Sequence, residues 1–491
     1  MTHGIRGCAL AVTLLAGGCS LAPPYQAPTL AAPATFKEQG PWVAAAPGDA
    51  QPAGAWWTVY GDATLDALEA RLDADNPDVA AAAQRYAQAN AYFEQARSGL
   101  FPTLGASGQM THNRQSDHRP LRSSSQPDEY RDDALGVQLG YELDLWGRVR
   151  NLVAAGRAAA DASADDLAGI KLSLEAQLAA DYVALRGLDA EEKLLSDTVD
   201  AYSRARDLIR TRFAGGIATG LDVARADTQL SSARALLSDV RARRALLEHA
   251  LAALGGTTPA GFTLDAASAD LPLPQIPLTL PATLLQRRPD VAAAERRAAA
   301  ANADIGVARA AFFPDVVLGA SGGYESTSSN GWLTAPNSFW SLGPHFTLPV
   351  FDAGKRRAIE NQARAAFEEA AARYRSTALG AFRDVEDQLA LLHWLGDEYE
   401  DQNAAVASAR KALDLALDRY RNGAVNYLDV VEAQVTALTA QRTALALRTR
   451  QLNASVQLIK ALGGGWSAST PAPTQPADSP ASTPVAQRTA H

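Results

Sequence analysis

Few residues in this chain of 491 are placed to do chemistry. Cys19 stands directly after the small pair Gly17-Gly18, and cleavage before it would leave an N-terminal thiol open to acylation. Asp429 and Glu432 lie three apart, hence on one face of a helix. Asp222 and Asp429 each follow a glycine break, where an aspartate often caps a helix. The seven histidines show no metal spacing such as H-E-x-x-H, and neither G-x-S-x-G nor a P-loop occurs. Gly-Gly pairs beginning at 215, 255 and 463 sit at the ends of helical patterns, where glycine serves as a C-cap. These observations predict a protein that is not an enzyme and needs no cofactor or metal.

The opening segment has a basic residue at Arg6 and an apolar run from Cys8 to Ala16, the pattern of an export signal over 1–18. Together with Cys19 it resembles a bacterial lipobox, and Ser20 in place of Asp favours sorting to the outer membrane. Cys8 leaves with the signal, so the mature chain holds one cysteine and no internal disulfide. The chain is 47% apolar and 20% charged with a net charge of −9, which gives nucleic-acid binding no electrostatic support. No stretch after residue 30 approaches the ~18 consecutive apolar residues of a membrane helix, so any crossing of a bilayer must be by a β-barrel.

The elements that position these residues are written twice. Asn76-Pro77-Asp78-Val79 returns as Arg288-Pro289-Asp290-Val291 and Phe101-Pro102 as Phe313-Pro314, both at a spacing of 212 (289 − 77, 313 − 101). Arg212-Phe213, Gly216 and Leu221-Asp222-Val223 return as Arg419-Tyr420, Gly423 and Leu428-Asp429-Val430 at a spacing of 207 (419 − 212, 423 − 216). A period this long marks a duplicated half, not a solenoid. After the first glycine break, Val223, Leu230, Leu237, Arg244 and Leu251 interleave with Ala226, Ala233, Val240, Leu247 and Leu254 as heptad a and d positions. The second copy has Val430, Ala437, Ala444, Gln451 and Leu458 with Ala433, Ala440, Leu447, Ala454 and Ala461. Polar breaks fall at equivalent places, Arg244 and Gln451. A two-helix coiled-coil stalk would explain the heptads but not the strands.

Strand alternation is expected over 103–112, 134–145, 315–325 and 339–350. Leu135, Val137, Leu139 and Tyr141 share one face against Gly136, Gln138, Gly140 and Glu142, and Trp340, Leu342 and Phe346 oppose Ser341, Gly343 and His345. Runs of about 10 residues match tilted outer-membrane strands. Pro344 is awkward inside a strand, since it cannot donate to a ladder. Four strands cannot close a barrel, and open edges in lipid leave backbone groups unsatisfied. Two copies would supply eight strands and three would supply twelve; strand counting alone does not choose between them.

With the paired Phe-Pro approaches to strands, Leu145-Trp146-Gly147-Arg148, Val350-Phe351-Asp352-Ala353-Gly354-Lys355 and the two Arg-aromatic…Gly…Leu-Asp-Val turns, the chain resembles TolC-type outer-membrane efflux factors over about Trp56 to Gly465. Its lipobox places it with the lipoprotein (NodT-like or OprM-like) branch. The resemblance implies a mainly α fold with a β-barrel part: a homotrimer whose twelve-stranded outer-membrane barrel continues as a periplasmic α-helical barrel, belted by an equatorial domain. It divides the chain into the signal 1–18, an N-terminal extension 19–64, a first repeat 65–254 with helical hairpin 148–254, an equatorial linker 255–284, a second repeat 285–464 with hairpin 354–463, and a disordered tail 465–491. Implied partners are outer-membrane lipid, a periplasmic membrane-fusion adaptor and an inner-membrane pump of RND or MFS type, the chain itself being a passive exit duct for small molecules.

Arg212, Gly215, Gly216, Arg419 and Gly423 match the adaptor-facing tips of such channels. Asp429 and Glu432 match an acidic ring at the periplasmic constriction, where like charges would repel, raise one another's pKa and attract cations. Asp222 and Tyr420 match a hydrogen-bonded latch between neighbouring helices. The arginine of that latch has no counterpart, since Val425 stands there, which leaves closure to apolar contacts and the carboxylate ring. Protein secretion, metal-ion efflux and a structural periplasm-spanning lipoprotein are the alternatives.

Overall fold

The computed structural model describes residues 20–30, 33–38, 54–120, 123, 125–267, 271–276, 287–328 and 332–465. The signal, Cys19 and the tail from residue 466 onward lie outside the described residues. The main elements are α1 (Ala63–Asp75), α2 (Pro77–Ser98), β1 (Thr103–Arg114), β2 (Glu129–Glu142), α3 (Arg148–Ala214), α4 (Gly220–Leu254), α5 (Pro289–Ala310), β3 (Asp315–Ser326), β4 (Ser338–Thr347), α6 (Lys355–Arg421) and α7 (Tyr427–Ala461). The order α2-β1-β2-α3-α4 is thus repeated as α5-β3-β4-α6-α7. Helices α3 and α6 each have 67 residues, and α4 and α7 each have 35. At 1.5 Å per residue the longer pair reach about 100 Å.

The four strands form one antiparallel sheet in the order β1-β2-β3-β4, so the two halves join through β2 and β3. The register puts the alternating residues in common rows. Leu104, Leu139, Ala320 and Leu342 face each other across the sheet, as do Ala106, Val137, Gly322 and Trp340. Directly paired residues share a face, so this face is apolar, and Trp340 is 81% exposed on it. The opposite face carries Gly105, Gln138, Ser321 and Ser341 in one row. Phe339 also falls on that polar face, in the row of Gly136 and Gly323. Pro344 lies in the edge strand β4, paired with Leu318, where a missing donor is tolerated best.

β2 and β4 end earlier than the alternation suggested. Beyond β2, Asp144 accepts the backbone amides of Val149 and Arg150 at 3.1 and 2.9 Å. Beyond β4, Asp352 accepts those of Gly354 and Arg356 at 3.0 and 3.2 Å. Both carboxylates turn the chain out of the ladder and satisfy the first amides of a long helix. At the other end the ladder outruns the apolar pattern, since Arg114 still pairs with Glu129.

The repeated Pro-Asp-Val motifs are helix starts. Pro77 and Pro289 occupy the first helical turn, where the missing amide costs nothing. The residue before each proline holds the end of the returning helix: Asn76 Nδ2 donates to the Leu254 carbonyl at 2.9 Å and Arg288 Nη1 to the Ala461 carbonyl at 3.4 Å. Just past those ends, Gly256 (φ +68°) and Gly463 (φ +93°) lie against the residues just before Asn76 and Arg288, each in its own half; a Cβ would lie 2.3 Å from the Asp75 oxygen and 2.0 Å from the Arg287 oxygen.

The core gathers around the middle of α3 and the C-terminal part of α7. Trp56, Trp57 and Tyr60 pack with Leu65, Leu68 and Leu72 of α1 against Leu172, Tyr182 and Leu185 of α3 and Ile459 of α7, with Phe262, Leu264 and Leu271 added from the segment after α4. The polar heptad breaks tie a loop and a neighbouring helix to α4 and α7. Arg244 donates to the Leu264 carbonyl and to Asp189 and Glu248, and Gln451 donates to the Leu395 carbonyl at 2.9 Å. The N-terminal segment from Ser20 runs along the outside of α5: the Ser20 hydroxyl reaches Asn151, Asn302 donates to the Pro23 carbonyl and Tyr25 to Glu295. Among the described residues no helix is long and apolar enough to cross a membrane.

Candidate functional site at the paired helix turns

Two turns join α3 to α4 and α6 to α7, and the same backbone pattern builds both. In the first, Gly216 N donates to the Phe213 carbonyl at 3.0 Å and Ile217 N to the Arg212 carbonyl at 2.8 Å. In the second, Gly423 N donates to Tyr420 at 3.1 Å and Ala424 N to Arg419 at 2.8 Å. Gly216 and Gly423 have φ of +73° and +76° with open space around them, so the left-handed backbone alone calls for glycine. Gly215 caps α3, its amide on the Thr211 carbonyl.

The helices that leave these turns are not capped by the aspartates. Thr219 and Asn426 are the N-caps: the Thr219 hydroxyl accepts from Asp222 N at 3.2 Å, and Asn426 Oδ1 accepts from Asp429 N at 3.2 Å. Asp222 completes a capping box, taking the Thr219 amide at 3.0 Å and its hydroxyl at 2.8 Å. Arg225 adds a partner for it at 3.9 Å. Asn426 supplies no such second bond, and Asp429 therefore differs: it is exposed, and among the described residues its carboxylate has no hydrogen-bond or ion-pair partner. Glu432, one turn on, is likewise exposed with an unpartnered carboxylate among the described residues. Two exposed carboxylates without partners among the described residues thus stand three residues apart at the start of α7.

Asp222 and Tyr420 are not joined by a hydrogen bond among the described residues. Tyr420 instead lies under the Arg212 guanidinium, whose carbon is 4.9 Å from the ring centroid. Its other neighbour is Tyr427, with ring centroids 5.5 Å apart and planes inclined at 56°. Tyr427 is buried with Ile209, Ala226 and Val430, and Tyr420 packs against that cluster. Burial, then Tyr420 and Asp222 nearby, push the Tyr427 hydroxyl up to about 12. Sequence reasoning passed over Tyr427 and placed Arg212 only at a tip; the signal was the aromatic pair at 420 and 427, whose counterparts in the first copy are Phe213 and Gly220. Arg419, the counterpart of Arg212, has no ring contact among the described residues.

At the far end of α3 the copies meet again. Trp146 stacks on Phe313 at 4.7 Å and donates its indole N–H to the Pro314 carbonyl at 2.8 Å, so the strand exit of one half rests on the Phe-Pro approach of the other. This geometry, a four-stranded sheet with one apolar face on two long helical hairpins, recurs in proteins of known kind. The family described as "Outer membrane efflux protein" matches residues 70–257 and 280–464, one match for each half. The chain belongs to the outer membrane efflux protein family.

Among curated members, this efflux protein is 34% identical over 463 residues to the pyoverdine export outer membrane protein OpmQ of Pseudomonas aeruginosa, covering 93% of this chain and 96% of that one. It is 33% identical over 479 residues to the toluene efflux pump outer membrane protein TtgI of Pseudomonas putida, covering 93% and 97%. The structure of the outer-membrane channel OprN superposes with a TM-score of 0.84 at 28% identity, covering 91% of this chain and all of that one. The open state of the Neisseria gonorrhoeae MtrE outer membrane channel superposes with a TM-score of 0.78 at 26% identity, covering 91% and 98%. The protein is thus a TolC-like channel component of efflux pumps in the outer membrane, of the OprM/NodT branch, and not an enzyme.

Proposed function

We propose that this efflux protein is a passive exit duct for small organic molecules, assembled as a homotrimer and coupled to a periplasmic membrane-fusion adaptor and an RND- or MFS-type inner-membrane pump. The observation that carries the reading is the sheet: four strands with an exposed apolar face and two free edges, β1 and β4. Edges in lipid must pair, and three chains would close a twelve-stranded cylinder. The names of the relatives, a pyoverdine export protein and a toluene efflux pump protein, support small organic cargo. In this reading the belt around α3 and α7 is the equatorial domain, and acylated Cys19 adds a lipid anchor where the segment from Ser20 begins. Labelled palmitate should enter the wild type and not Cys19→Ser, while both remain trimers.

The turns form the periplasmic mouth, with Arg212, Gly215, Gly216, Arg419 and Gly423 facing the adaptor. Three copies of Asp429 and Glu432 around one axis make the constriction, and their lack of partners supports that role. In planar bilayers Asp429→Ala with Glu432→Ala should raise single-channel conductance and weaken block by divalent cations. Currents and block identical to wild type would remove the carboxylate ring from the mouth.

A further inference from the structure

We infer that Arg212 is a positioning residue for the gate: its guanidinium, seated on the face of Tyr420, bolts the turn of the first half to the turn of the second within each protomer. The inference rests on the reading of the turns as the mouth, and goes beyond it by assigning the residue that holds the two hairpins together. Tyr420 is the last aromatic of α6 and Arg212 belongs to the last turn of α3, so the contact spans two hairpins that no tight turn connects. Arg212 makes no ion pair among the described residues, and the ring is its partner. The ring is in turn fixed from its other side by Tyr427, which the buried cluster with Ile209, Ala226 and Val430 holds in place.

Duplication supplies an internal control. The first copy has Phe213 where the second has Tyr420, and Gly220 where the second has Tyr427, so Phe213 lies over a glycine and is exposed. Only one of the two equivalent arginines therefore meets a supported ring. The position where a latch arginine was expected is Val425, and Asp222 is engaged by Thr219. Arg212 supplies the cation from the opposite hairpin. What it recognises is the π face, not a hydroxyl.

Single-channel recordings on the purified full chain in planar bilayers test this. Arg212→Ala and Tyr420→Leu should each favour the open state by about two- to fivefold, the range expected from losing one partly exposed cation–π contact. Arg212→Lys, which keeps a cation, should open the channel less than Arg212→Ala. Tyr420→Phe, which keeps the ring and loses the hydroxyl, should open it less than Tyr420→Leu. The double variant Arg212→Ala, Tyr420→Leu should open it no further than either change alone. If Tyr420→Phe matches Tyr420→Leu, or the two changes multiply, the bolt is overturned while the duct stands. If Arg212→Ala conducts as wild type while the Asp429, Glu432 pair still raises conductance, the bolt alone falls; silence in every variant, that pair included, sinks the placement of the mouth as well.

Discussion

Glu69 is 0% exposed, and among the described residues neither carboxylate oxygen has a hydrogen-bond partner. It sits on α1 beside Asp66 and Asp73, facing Glu175 and Lys171 of α3, and Glu175 itself holds the Trp56 indole N–H at 3.0 Å. Lys171 is 2.9 Å from Asp73, which leaves Glu69 without a cation of its own. Burial first, then the neighbouring carboxylates Glu175, Asp73 and Asp66, push its pKa up to about 10, so it is a neutral acid at physiological pH. Because the folded form holds this proton more tightly than the unfolded chain, stability is fully present below pH 4.5 and declines as pH rises towards 10. The slope from one such group reaches at most about 1.4 kcal/mol per pH unit. Glu175, raised to about 7 mainly by burial, adds its own slope only up to that pH. Glu69→Gln should therefore flatten the loss of thermal stability between pH 7 and 9 in detergent solution. Parallel melting curves for wild type and variant across that window would show that Glu69 is not the group that titrates.

At the scale of elements, the joints where the last helix of each half-repeat returns to the start of that same half are tightly constrained. Gly463 combines a left-handed backbone with an approach of 2.0 Å between a would-be Cβ and the Arg287 carbonyl, whereas Gly423 has the same kind of backbone and open space. Gly463→Ala should cost more than the roughly 1–3 kcal/mol of backbone strain alone, and Gly423→Ala only that strain; equal melting temperatures for the two variants would rule out the close approach. The contrast also shows what sequence could supply. Duplication, the glycine breaks and the strand alternation were legible because each reflects a repeat, a local rule of backbone geometry or a side-chain period, whereas Pro-Asp-Val was read only as a repeated motif and the structure shows it to be a helix start. The arginine and glutamine that interrupt the heptads looked like equivalent defects, and only the fold shows that Arg244 reaches a loop carbonyl at Leu264 while Gln451 reaches the Leu395 carbonyl within α6. The Arg212 stack on Tyr420 was hidden for a related reason. It joins residues of two hairpins through their tertiary approach, and no period or spacing records that. The strand ends were misjudged because hydrogen bonding from Asp144 and Asp352 to the next helix, not hydrophobic alternation, decides where the ladder stops.

The whole molecule is a half-assembled object whose internal contacts foreshadow its external ones. Within the chain, Trp146 of the first half rests on Phe313 of the second. The complementary surfaces, the exit of β4 at Phe351 and the approach to β1 at Phe101, stand open, with Phe351 88% exposed. In the proposed trimer a neighbour closes that junction as β2 and β3 close the one inside the chain. The same closure decides which face of the sheet meets lipid. Leu342 lies in the row with Leu104, Leu139 and Ala320, and Ser341 in the row with Gly105, Gln138 and Ser321. If the apolar face points outward, Leu342→Lys puts a charge into hydrocarbon at about 2–4 kcal/mol per copy near the midplane, a cost multiplied by the number of chains in the barrel. Ser341→Lys puts the same charge into the lumen, where water solvates it. The expected outcome is that Leu342→Lys lowers the yield of heat-resistant trimers in outer-membrane fractions, while Ser341→Lys inserts normally and shifts the reversal potential in a salt gradient towards anion preference. Should Ser341→Lys block insertion and Leu342→Lys alter selectivity, the sheet would be curved the other way, and neighbouring copies could not meet edge to edge around a polar pore.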